Sequence, residues 1–386
     1  MKIVHICLAG IGLTDGWSYQ ENLLTKYHRK LGYEVSIITS FWVRNKTGGF
    51  EKSKKSNYIN ENGCKVRRLA IKQKLKPSYK FKKYKDLYIT LKEEEPNIIF
   101  IHNVQFLDIL KIAKYVRKRP NVKVYVDNHT DTSNSATNWI SLNLLHKIIW
   151  KYCANMILPY TTKFYGVLPA RVDFLLEVYK IPKEKVELLN MGMDDDRVPF
   201  SKNDTIKNEI RNKYHIKPND FLIMTGGKID IAKKQTLLLM EAIKKIEKHD
   251  VKLIVFGSVC KELKEEINSL CDNSIVQYIG WIDVDDAYQY FASSDLVVFP
   301  GRHSVFWERV AGLGIPMLVK YWKGTTHIDV GGNCEFLYEE TVDEIKDKIE
   351  NLLNNKKLYE NMKVVAEKIG MERFSYLKIA KQSLEN

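Results

Sequence analysis

Cysteine is scarce in this sequence and lacks the spacing that disulfide frameworks and zinc sites use. The chain has 386 residues and six cysteines, with no C-x-x-C pair. They are scattered along the whole chain, at Cys7, Cys64, Cys153, Cys260, Cys271 and Cys334. This usage favours reduced thiols in a cytosol over a disulfide framework or a zinc site.

Long apolar runs are also missing. No hydrophobic stretch approaches the ~18 residues that a membrane-spanning helix needs. The N-terminal MKIVHICLAGIGL has the apolar character of a signal peptide, but it contains His5 and two glycines and continues into TDGW without a small-residue cleavage pattern. We therefore interpret it as a first buried strand.

Several signatures of common enzyme classes are absent. The turn AGIGLTDGWSYQ (9–20) lacks the full G-x-G-x-x-G spacing, and no acidic residue ends the next strand, which argues against a nicotinamide dehydrogenase. Neither G-x-x-x-x-G-K-[ST] nor H-E-x-x-H occurs, and no carboxylate cluster indicates a metal site. The sequence therefore predicts no P-loop, no zinc protease centre and no metal requirement.

Acidic residues are too few to balance the basic ones, and the imbalance is local. The formal net charge is +14, and ten basic residues with no acidic one lie between Lys65 and Lys85. The candidate surface residues in this run are Lys72, Lys74, Lys76, Lys80, Lys82 and Lys83. The aromatic and aliphatic residues Phe81, Tyr84, Tyr88 and Leu91 recur nearby at helical spacing. The pattern predicts a basic amphipathic element for anionic lipid, an anionic polymer or nucleic acid, with a solvated lysine-rich face as the alternative.

What the sequence does contain is a repeated alternation of strands and helices. Predicted strands in the first half are KIVHICLA (2–9), YEVSIITS (33–40), NIIFIH (97–102), VKVYVDNH (122–129) and ANMILP (154–159). Those in the second half are FLIMTGG (221–227), VKLIVFG (251–257), IVQYIGW (275–281), DLVVFP (295–300) and PMLVKYW (316–322). The alternation predicts an α/β protein with two doubly wound, Rossmann-like sheets of similar size, divided near residues 194–205. Such halves place a ligand cleft between the carboxyl ends of their strands.

Two turns that follow predicted strands are candidate ligand sites. GGKIDIAKKQ (226–235) brings Gly227, Lys228, Lys233 and Lys234 to the start of a helix, where backbone N–H groups and ammonium groups suit a diphosphate. The alternative is that these lysines are solvent-exposed. Gly16, before the first helix, either lets a substrate approach the backbone or only forms the turn.

Two single side chains at predicted strand ends are further candidates. His129 lies among polar residues and could bind a substrate or act in acid–base chemistry, but it could also be structural, and His102 has the same ambiguity. Glu308 stands near the start of a short helix in the otherwise apolar FPGRHSVFWERVAGLGIPMLV (299–319). It either complements the helix dipole or belongs to a ligand site at the strand end.

Taken in order, these segments resemble the GT-B-fold glycosyltransferases, in particular the retaining family 4. The similarity runs from Gly16 through EPNIIFIHN (95–103), YKIPKEKVELLNMGMD (179–194) and GGKIDIAKK to IGWIDVDDAYQYFASSDLVVFP (279–300) and ERVAGLGIP. The pattern HSV-x-WE, followed by GTTH (324–327) and DVGGN (329–333), is similar to a bacterial cell-surface-polysaccharide subgroup.

The resemblance implies roles for the candidate residues. Glu308 matches the second of two donor-site glutamates and would contact the ribose, whereas Pro300 stands where the first is expected. Lys228 stands where arginine is usual, and Lys234, or Lys233 if the loop has no insertion, matches the family lysine, so that these residues would stabilise the diphosphate without a metal. His129 matches a histidine that contacts the donor sugar. The residues Arg302, His303 and Ser304 occupy the space of the lost glutamate and join the donor site.

The implied function is retaining transfer of a hexosyl or N-acetylhexosaminyl unit, with a UDP-sugar favoured, to a lipid-linked or polymeric cell-surface glycan. An acceptor-binding domain (1–198), a nucleotide-sugar-binding domain (199–370) and a returning C-terminal helix (371–386) are expected, with no cofactor. A cytoplasmic protein held at the inner face of the membrane fits the basic run better than a nucleic-acid binder, because no nucleic-acid-binding module is recognised. The alternatives are a sugar-nucleotide epimerase and a non-catalytic partner subunit that binds a glycan.

Overall fold

The computed structural model describes residues 1–10, 12–45, 49–72, 82–247, 250–272, 274–283 and 285–385. The chain divides into two compact units. Unit 1 comprises Met1–Asn190 and Ile379–Asn386, and unit 2 comprises Met191–Lys378.

Unit 1 is built on a mostly parallel sheet. Its strands are β1 Lys2–Cys7, β2 Glu34–Ser40, β3 Trp42–Arg44, β4 Phe50–Lys52, β5 Asn57–Ile59, β6 Lys65–Leu69, β7 Ile98–His102, β8 Lys123–Asn128, β9 Thr161–Gly166 and β10 Val186–Leu188. Eight of them form one sheet in the order β10-β9-β8-β7-β1-β2-β6-β5, in which only β5 and β6 pair antiparallel, whereas β3 and β4 form a separate pair. The central strands KIVHIC and IIFIH are almost entirely buried, as parallel strands covered on both faces are.

Helices cover the sheet of unit 1. They are α1 Gln20–Lys30, α2 Leu87–Glu94, α3 Ile109–Arg117, a π-helix Ser141–Trp150, α4 Lys151–Ile157 and α5 Pro169–Glu177. The C-terminal residues also belong to this unit, because the hydroxyl of Tyr125 donates to the carbonyl oxygen of Leu384 at 2.9 Å and that of Tyr165 to the carbonyl oxygen of Gln382 at 3.2 Å.

Unit 2 repeats the architecture with a fully parallel sheet. Its strands are β11 Phe221–Gly226, β12 Val251–Phe256, β13 Val276–Tyr278, β14 Leu296–Phe299, β15 Met317–Lys320 and β16 Cys334–Leu337. Their order is β13-β12-β11-β14-β15-β16. The chain therefore leaves β11 on one side to build β12 and β13 and on the other to build β14, which makes the junction of β11 and β14 the switch point where doubly wound sheets bind ligands.

The helices of unit 2 surround this sheet. They are α6 Val198–Ser201, α7 Asp204–Lys213, α8 Gln235–Lys244, α9 Lys264–Leu270, α10 Ala287–Ala292, α11 Phe306–Gly312, α12 Val342–Asn354, α13 Lys356–Val365, a π-helix Ala366–Gly370 and α14 Met371–Arg373, before α15 Tyr376–Gln382 returns to unit 1. Over the described part of the chain, none of the helices has both the length and the apolarity to cross a bilayer.

One predicted strand is wrong. ANMILP (154–159) lies in α4 and the 3-10 turn that follows, and the strand is the more polar β9 directly after it. The apolar residues of this segment are buried at helical spacing, with Cys153, Ala154 and Ile157 inside and Met156 outside. A short apolar run does not by itself distinguish a strand from a buried helix, and here the helix is formed.

The prediction of one basic amphipathic element over residues 65–85 is also wrong for the described part of that run. Lys65, Arg67 and Arg68 lie on strand β6, and Tyr84 pairs with Ile71 in an isolated bridge. Helix α2 begins only at Leu87, after Asp86 with a positive φ of 58°.

Candidate active site

A pocket opens at the switch point of unit 2, where β11 and β14 end. Its described lining residues are Thr225, Gly226, Lys228, Ile229, Lys233, Thr236, Phe299, Pro300, Gly301, Arg302 and Ser304. Gly301 packs against the main chain of Lys233, since a Cβ at Gly301 would lie 3.6 Å from the Cα of Lys233. The two candidate loops of the sequence, GGKIDIAKKQ and GRHSVFW, therefore form one site.

Glycines allow the strand ends beside this pocket to approach closely. Gly227 has a φ of +123°, and Gly257, at the end of the neighbouring strand β12, has a φ of +127°. A Cβ at Gly257 would lie 1.8 Å from the carbonyl oxygen of Gly227, and one at Gly226 would lie 2.2 Å from the ring of Phe256. The strand ends approach too closely for a side chain at Gly226 or Gly257.

Three cationic side chains converge on the pocket. Lys228 is exposed and forms an ion pair with Asp230 at 2.9 Å. Burial lowers the pKa of the Lys233 ammonium, and repulsion by Lys228 and Arg302 lowers it further, although Asp230 opposes this shift. Among the described residues, the three cations have one nearby carboxylate, that of Asp230, so the pocket keeps positive charge that a bound anion would neutralise. Lys234 is exposed and does not line the pocket.

The 3-10 turn Ile231–Lys233 and helix α8 follow the glycines directly. The side chain of Asp230 caps this turn by accepting from the backbone N–H of Ala232 at 3.0 Å. Helix α8 then runs for ten residues from Gln235. The start of a helix beside three cations is a favourable position for a phosphate group.

Glu308 lies in the first turn of α11 and is fully buried. Its Oε1 accepts from the Nε2 atoms of His303 at 2.7 Å and His327 at 3.0 Å. Burial raises the pKa of this carboxyl, but the two histidines outweigh that effect and hold the pKa well below its usual range. The other carboxylate oxygen, Oε2, has no hydrogen-bond partner among the described residues.

This arrangement resolves the oddity of a glutamate in an apolar segment. A carboxylate that only complemented a helix dipole would lie at the surface, whereas Glu308 is buried and fixed by two histidines. An ionised oxygen without a partner in a buried site is costly unless a ligand supplies donors. The sequence pointed to Glu308 but not to His327, whose only signal is its place in the GTTH pattern.

In unit 1, His129 follows the end of β8. Its Nε2 lies 3.2 Å from Oδ2 of Asp127, and the same oxygen accepts from Nδ1 of His102 at 2.7 Å. Although burial raises the pKa of Asp127, the two histidines lower it well below its usual range. Both predicted histidines therefore share one buried carboxylate.

Among the described residues, two groups of side chains have the spacing to hold a metal ion. They are His102, Asp127 and His129 in unit 1 and His303, Glu308 and His327 in unit 2, and the candidate ligand atoms of each group lie within 4.8 Å of one another. In both groups a histidine nitrogen is hydrogen-bonded to the carboxylate, which by itself accounts for the close spacing. We assign no metal to either group.

Gly16 precedes α1 with a φ of +74°, and its N–H donates to Oε1 of Glu61 at 2.9 Å. The positive φ accounts for glycine here as a turn residue.

Part of the described basic run is engaged within unit 1. Lys65 and Arg67 contact the buried carboxylate of Glu94 at 2.8 and 3.0 Å. Lys82 is partly buried, and desolvation lowers the pKa of its ammonium to about 8. Lys72 and Lys83 are exposed, whereas Lys74, Lys76 and Lys80 lie outside the described residues.

Solved structures with a similar fold cover nearly the whole chain. A glycosyltransferase from Rickettsia africae has a TM-score of 0.69 at 15% identity, covering 100% of this chain and 99% of that one. HepE from Anabaena, in complex with UDP, has a TM-score of 0.69 at 16% identity, covering 99% and 98%. UDP-GlcNAc 2-epimerase from Neisseria meningitidis, bound to UDP-GlcNAc, has a TM-score of 0.62 at 14% identity, covering 100% and 99%. These likenesses confirm the predicted fold class, GT-B with two Rossmann-like domains.

Two glycosyltransferase family models match the chain in succession. Residues 22–197 match Glycosyltransferase Family 4, and residues 206–369 match Glycosyl transferases group 1. An uncharacterized glycosyltransferase from Methanocaldococcus jannaschii is 22% identical over 218 residues, and the match spans 54% of this chain and 55% of that protein's length. The chain therefore spans about half the length of this curated relative. The fold is therefore that of GT-B glycosyltransferases, and each half of the chain is similar to a glycosyltransferase family model.

Proposed function

We propose that this protein is a retaining glycosyltransferase that moves a hexosyl or N-acetylhexosaminyl unit from a nucleotide-sugar to a cell-surface glycan precursor. The observation that carries the proposal is the pocket of unit 2, where Lys228, Lys233 and Arg302 surround the start of a helix on the chain segment that follows β11. This excess positive charge suits the diphosphate of a donor. Lys234, the other lysine suggested by the family pattern, is the alternative to Lys233.

Glu308 is the proposed ribose contact of the donor. Its Oε1 is occupied by His303 and His327, so Oε2 is the oxygen left to accept from hydroxyl groups. A vicinal diol offers two donors to such an oxygen, and the ionised carboxylate strengthens both hydrogen bonds. The UDP complex of the Anabaena protein supports uracil as the base to test first.

The proposed reaction needs charge stabilisation more than proton transfer. Cleavage at the anomeric carbon leaves positive charge on the sugar ring and negative charge on the departing diphosphate. Preorganised cations at the diphosphate stabilise that charge as it develops, and the proposal requires no metal and no cofactor. Gly227 and Ser304 are proposed to bind the donor through small, closely approaching groups. His129 is proposed to accept a hydrogen bond from a substrate hydroxyl.

A membrane-bound acceptor is the second part of the proposal. Lys72 and Lys83 are exposed, and each lysine near an anionic leaflet contributes about 1 kcal/mol. We propose a lipid-linked or polymeric acceptor at the inner face of the membrane. Sedimentation with anionic vesicles should fall as salt rises and should be absent with zwitterionic vesicles. Equal sedimentation with both vesicle types would contradict this part.

The activity is tested by NMR on a panel of UDP-, GDP- and ADP-sugars incubated with the protein and a lipid-linked glycan extract. Transfer would consume one nucleotide-sugar, release its nucleoside diphosphate, and give a new anomeric signal of the donor's configuration. An epimerase would convert one UDP-sugar into another and release no UDP through transfer. If a nucleotide binds but no sugar is consumed, the non-catalytic partner subunit is the better account. The variant Glu308→Ala serves as the inactive control.

A further inference from the structure

A path of short contacts joins three buried histidines and one aspartate in unit 1. Nδ1 of His28 lies 3.0 Å from Nε2 of His5, and Nδ1 of His5 lies 3.0 Å from Nε2 of His102. Nδ1 of His102 then lies 2.7 Å from Oδ2 of Asp127. None of these side chains is more than 3% exposed. We refer to His28, His5, His102 and Asp127 as the histidine chain, and His28, His5 and His102 have no part in the proposed transfer.

The far end of the histidine chain fixes the position of one proton. Nε2 of His28 lies 3.1 Å from the carbonyl oxygen of Ala380 and 2.9 Å from Oγ of Ser383, and that hydroxyl donates to the same carbonyl at 2.9 Å. A carbonyl oxygen only accepts, so Nε2 of His28 carries a proton. If Ser383 donated to Nε2 instead, it would lose its bond to Ala380 and leave two lone pairs facing each other at 3.1 Å.

The contacts along the histidine chain need one proton more than three neutral imidazole rings supply. Four contacts need a proton each: Ala380 with His28, His28 with His5, His5 with His102, and His102 with Asp127. A neutral imidazole carries one N–H, so three neutral rings provide three protons. One further proton must therefore be held within the histidine chain.

The extra proton belongs on His102. A buried charge is tolerated only when it is paired, and His102 is the ring that contacts the carboxylate of Asp127. Burial lowers the pKa of His102, but Asp127, with Glu21 from α1, raises it above its ordinary value. Burial and neighbouring histidines lower the pKa of His5, and burial lowers that of His28 to about 3, so these two rings stay neutral.

The same oxygen of Asp127 that contacts His102 also faces His129. Nε2 of His129 is buried, lies 3.2 Å from Oδ2 of Asp127, and makes no aligned hydrogen bond with any described residue. The main chain of His129 is fixed at both polar groups, because its N–H donates to Asn103 at 2.9 Å and its carbonyl accepts from Asn134 at 2.7 Å. A carboxylate so close to Nε2 favours the tautomer with the proton on that nitrogen. The lone pair of Nδ1 then remains for a ligand hydroxyl.

We propose that the histidine chain positions His129. It stores one proton on His102, keeps Asp127 ionised and in place, and thereby holds His129 in the tautomer that is protonated on Nε2. His28, His5 and His102 are positioning residues, because they act through Asp127 and not on a substrate. The ligand contact of Nδ1 rests on the proposed function, but the proton count and the tautomers do not.

The test is nitrogen NMR of the full chain labelled with ¹⁵N-histidine, at pH 7.5 and without ligand. We expect both ring nitrogens of His102 to be protonated, and only Nε2 in His5, His28 and His129. The exposed His215 gives a solvent-exposed reference, and the buried His146, whose polar contacts are Ser135 and Tyr179, gives a neutral one. If His5, His28 and His102 are all neutral, the proposal is overturned, whatever the protein does with nucleotide-sugars.

Two variants test the positioning role itself. His5→Phe interrupts the histidine chain with an apolar ring of similar size, whereas His5→Gln retains a hydrogen-bond donor and an acceptor. We expect His129 to lose its single-tautomer signal in His5→Phe and to keep it in His5→Gln. An unchanged His129 spectrum in both variants would overturn the positioning role. If His5→Phe does not fold, Asp127→Asn provides the same comparison, because it removes the charge that selects the tautomer.

Discussion

At the scale of single residues, the candidate site depends on buried carboxylates that histidines keep ionised. Glu308 has His303 and His327, and Asp127 has His102 and His129. Each carboxylate bears a negative charge in a place where burial alone would favour the protonated acid. Maintaining such groups costs stability, which proteins accept mainly at functional sites.

The first prediction concerns the partner of Glu308 that the sequence did not reveal. His327→Leu removes one of the two donors to Oε1 and should lower the free energy of unfolding by about 2 kcal/mol, since the bond is to a charged group. His327→Gln retains an N–H donor and should lower it by less. Urea denaturation measures both values. Equal stability of the two variants would mean that His327 does not support the carboxylate.

The second prediction concerns His146, which lies outside the histidine chain. Burial lowers its pKa from 6.5 to about 4 in the folded protein. Between these pH values the unfolded chain binds a proton that the folded protein does not, so stability falls as pH falls from 6.5 to 4, by up to about 1.4 kcal/mol per pH unit.

The variant His146→Gln should therefore show a shallower loss of unfolding free energy over this pH range. The exposed His215 provides the matched control, and His215→Gln should change the slope less than His146→Gln does. Urea denaturation at several pH values measures the slopes. A slope in His146→Gln equal to that of the unsubstituted protein would contradict the assignment.

The sequence pointed to Glu308, His129 and the pocket lysines as candidates because each follows a predicted strand. It could not reveal the partnership of Glu308 with His327, because nineteen residues and a strand separate them. The links among His5, His28 and His102 were equally hidden, since three different elements supply them. Contacts of this kind follow from the tertiary fold and have no periodic signal.

At the scale of elements, the basic run has a structural explanation. On β6 the alternating residues Lys65 and Arg67 reach Glu94 at the end of α2, where Lys2 of β1 also contacts it at 2.8 Å. Burial opposes ionisation of Glu94, but these partners lower its pKa to about 2. Part of the positive charge therefore neutralises an internal carboxylate.

The third prediction follows from this cluster. Glu94→Gln should lower the free energy of unfolding by about 3 kcal/mol, because it leaves three cations without their shared partner. Glu93→Gln is the matched control, since Glu93 is about half exposed and its one ion pair among the described residues is with Arg67, and its effect should stay below about 1 kcal/mol. Comparable losses of unfolding free energy in the two variants would show that the buried cluster around Glu94 stabilises the fold no more than an exposed ion pair does.

The fourth prediction concerns the strand ends below the pocket. Gly257→Ala places a methyl group 1.8 Å from the carbonyl oxygen of Gly227 and should force β11 and β12 apart. Gly280→Ala has a similar positive φ of 78° but meets no atom within 4 Å, so it isolates backbone strain of about 1–2 kcal/mol. Thermal unfolding should show a larger loss for Gly257→Ala. Equal losses would contradict the steric account.

Most elements were predictable because parallel strands leave long β-branched runs between glycine-rich turns. KIVHIC, IIFIH and VKLIVF are such runs, and each forms the predicted strand. The segment at 154–159 misled because α4 is as apolar as a strand over that length, whereas β9 contains the polar residues Thr161, Thr162 and Lys163. Packing, and not local composition, decided between the two.

At the scale of the whole molecule, the proposed functional groups are distributed over the two units. Unit 2 contains the proposed diphosphate and ribose groups, and unit 1 contains His129 and the histidine chain. The pocket of unit 2 and His129 of unit 1 lie at or beyond the carboxyl ends of parallel strands, as ligand groups in doubly wound sheets do. The fold and the order of the motifs were predictable together, because the same strand ends that define the sheets also present the polar residues.

The most direct test of the central claim is calorimetric titration of UDP, with GDP and ADP as comparisons. We expect a nucleoside diphosphate to bind, and Lys228→Ala, Lys233→Ala and Glu308→Ala each to weaken its binding about tenfold, equal to about 1.4 kcal/mol. Lys234→Ala, which alters an exposed lysine beside the pocket, should weaken it less. Failure of all three nucleotides to bind, or binding that none of the three pocket variants affects, would contradict a donor site in unit 2.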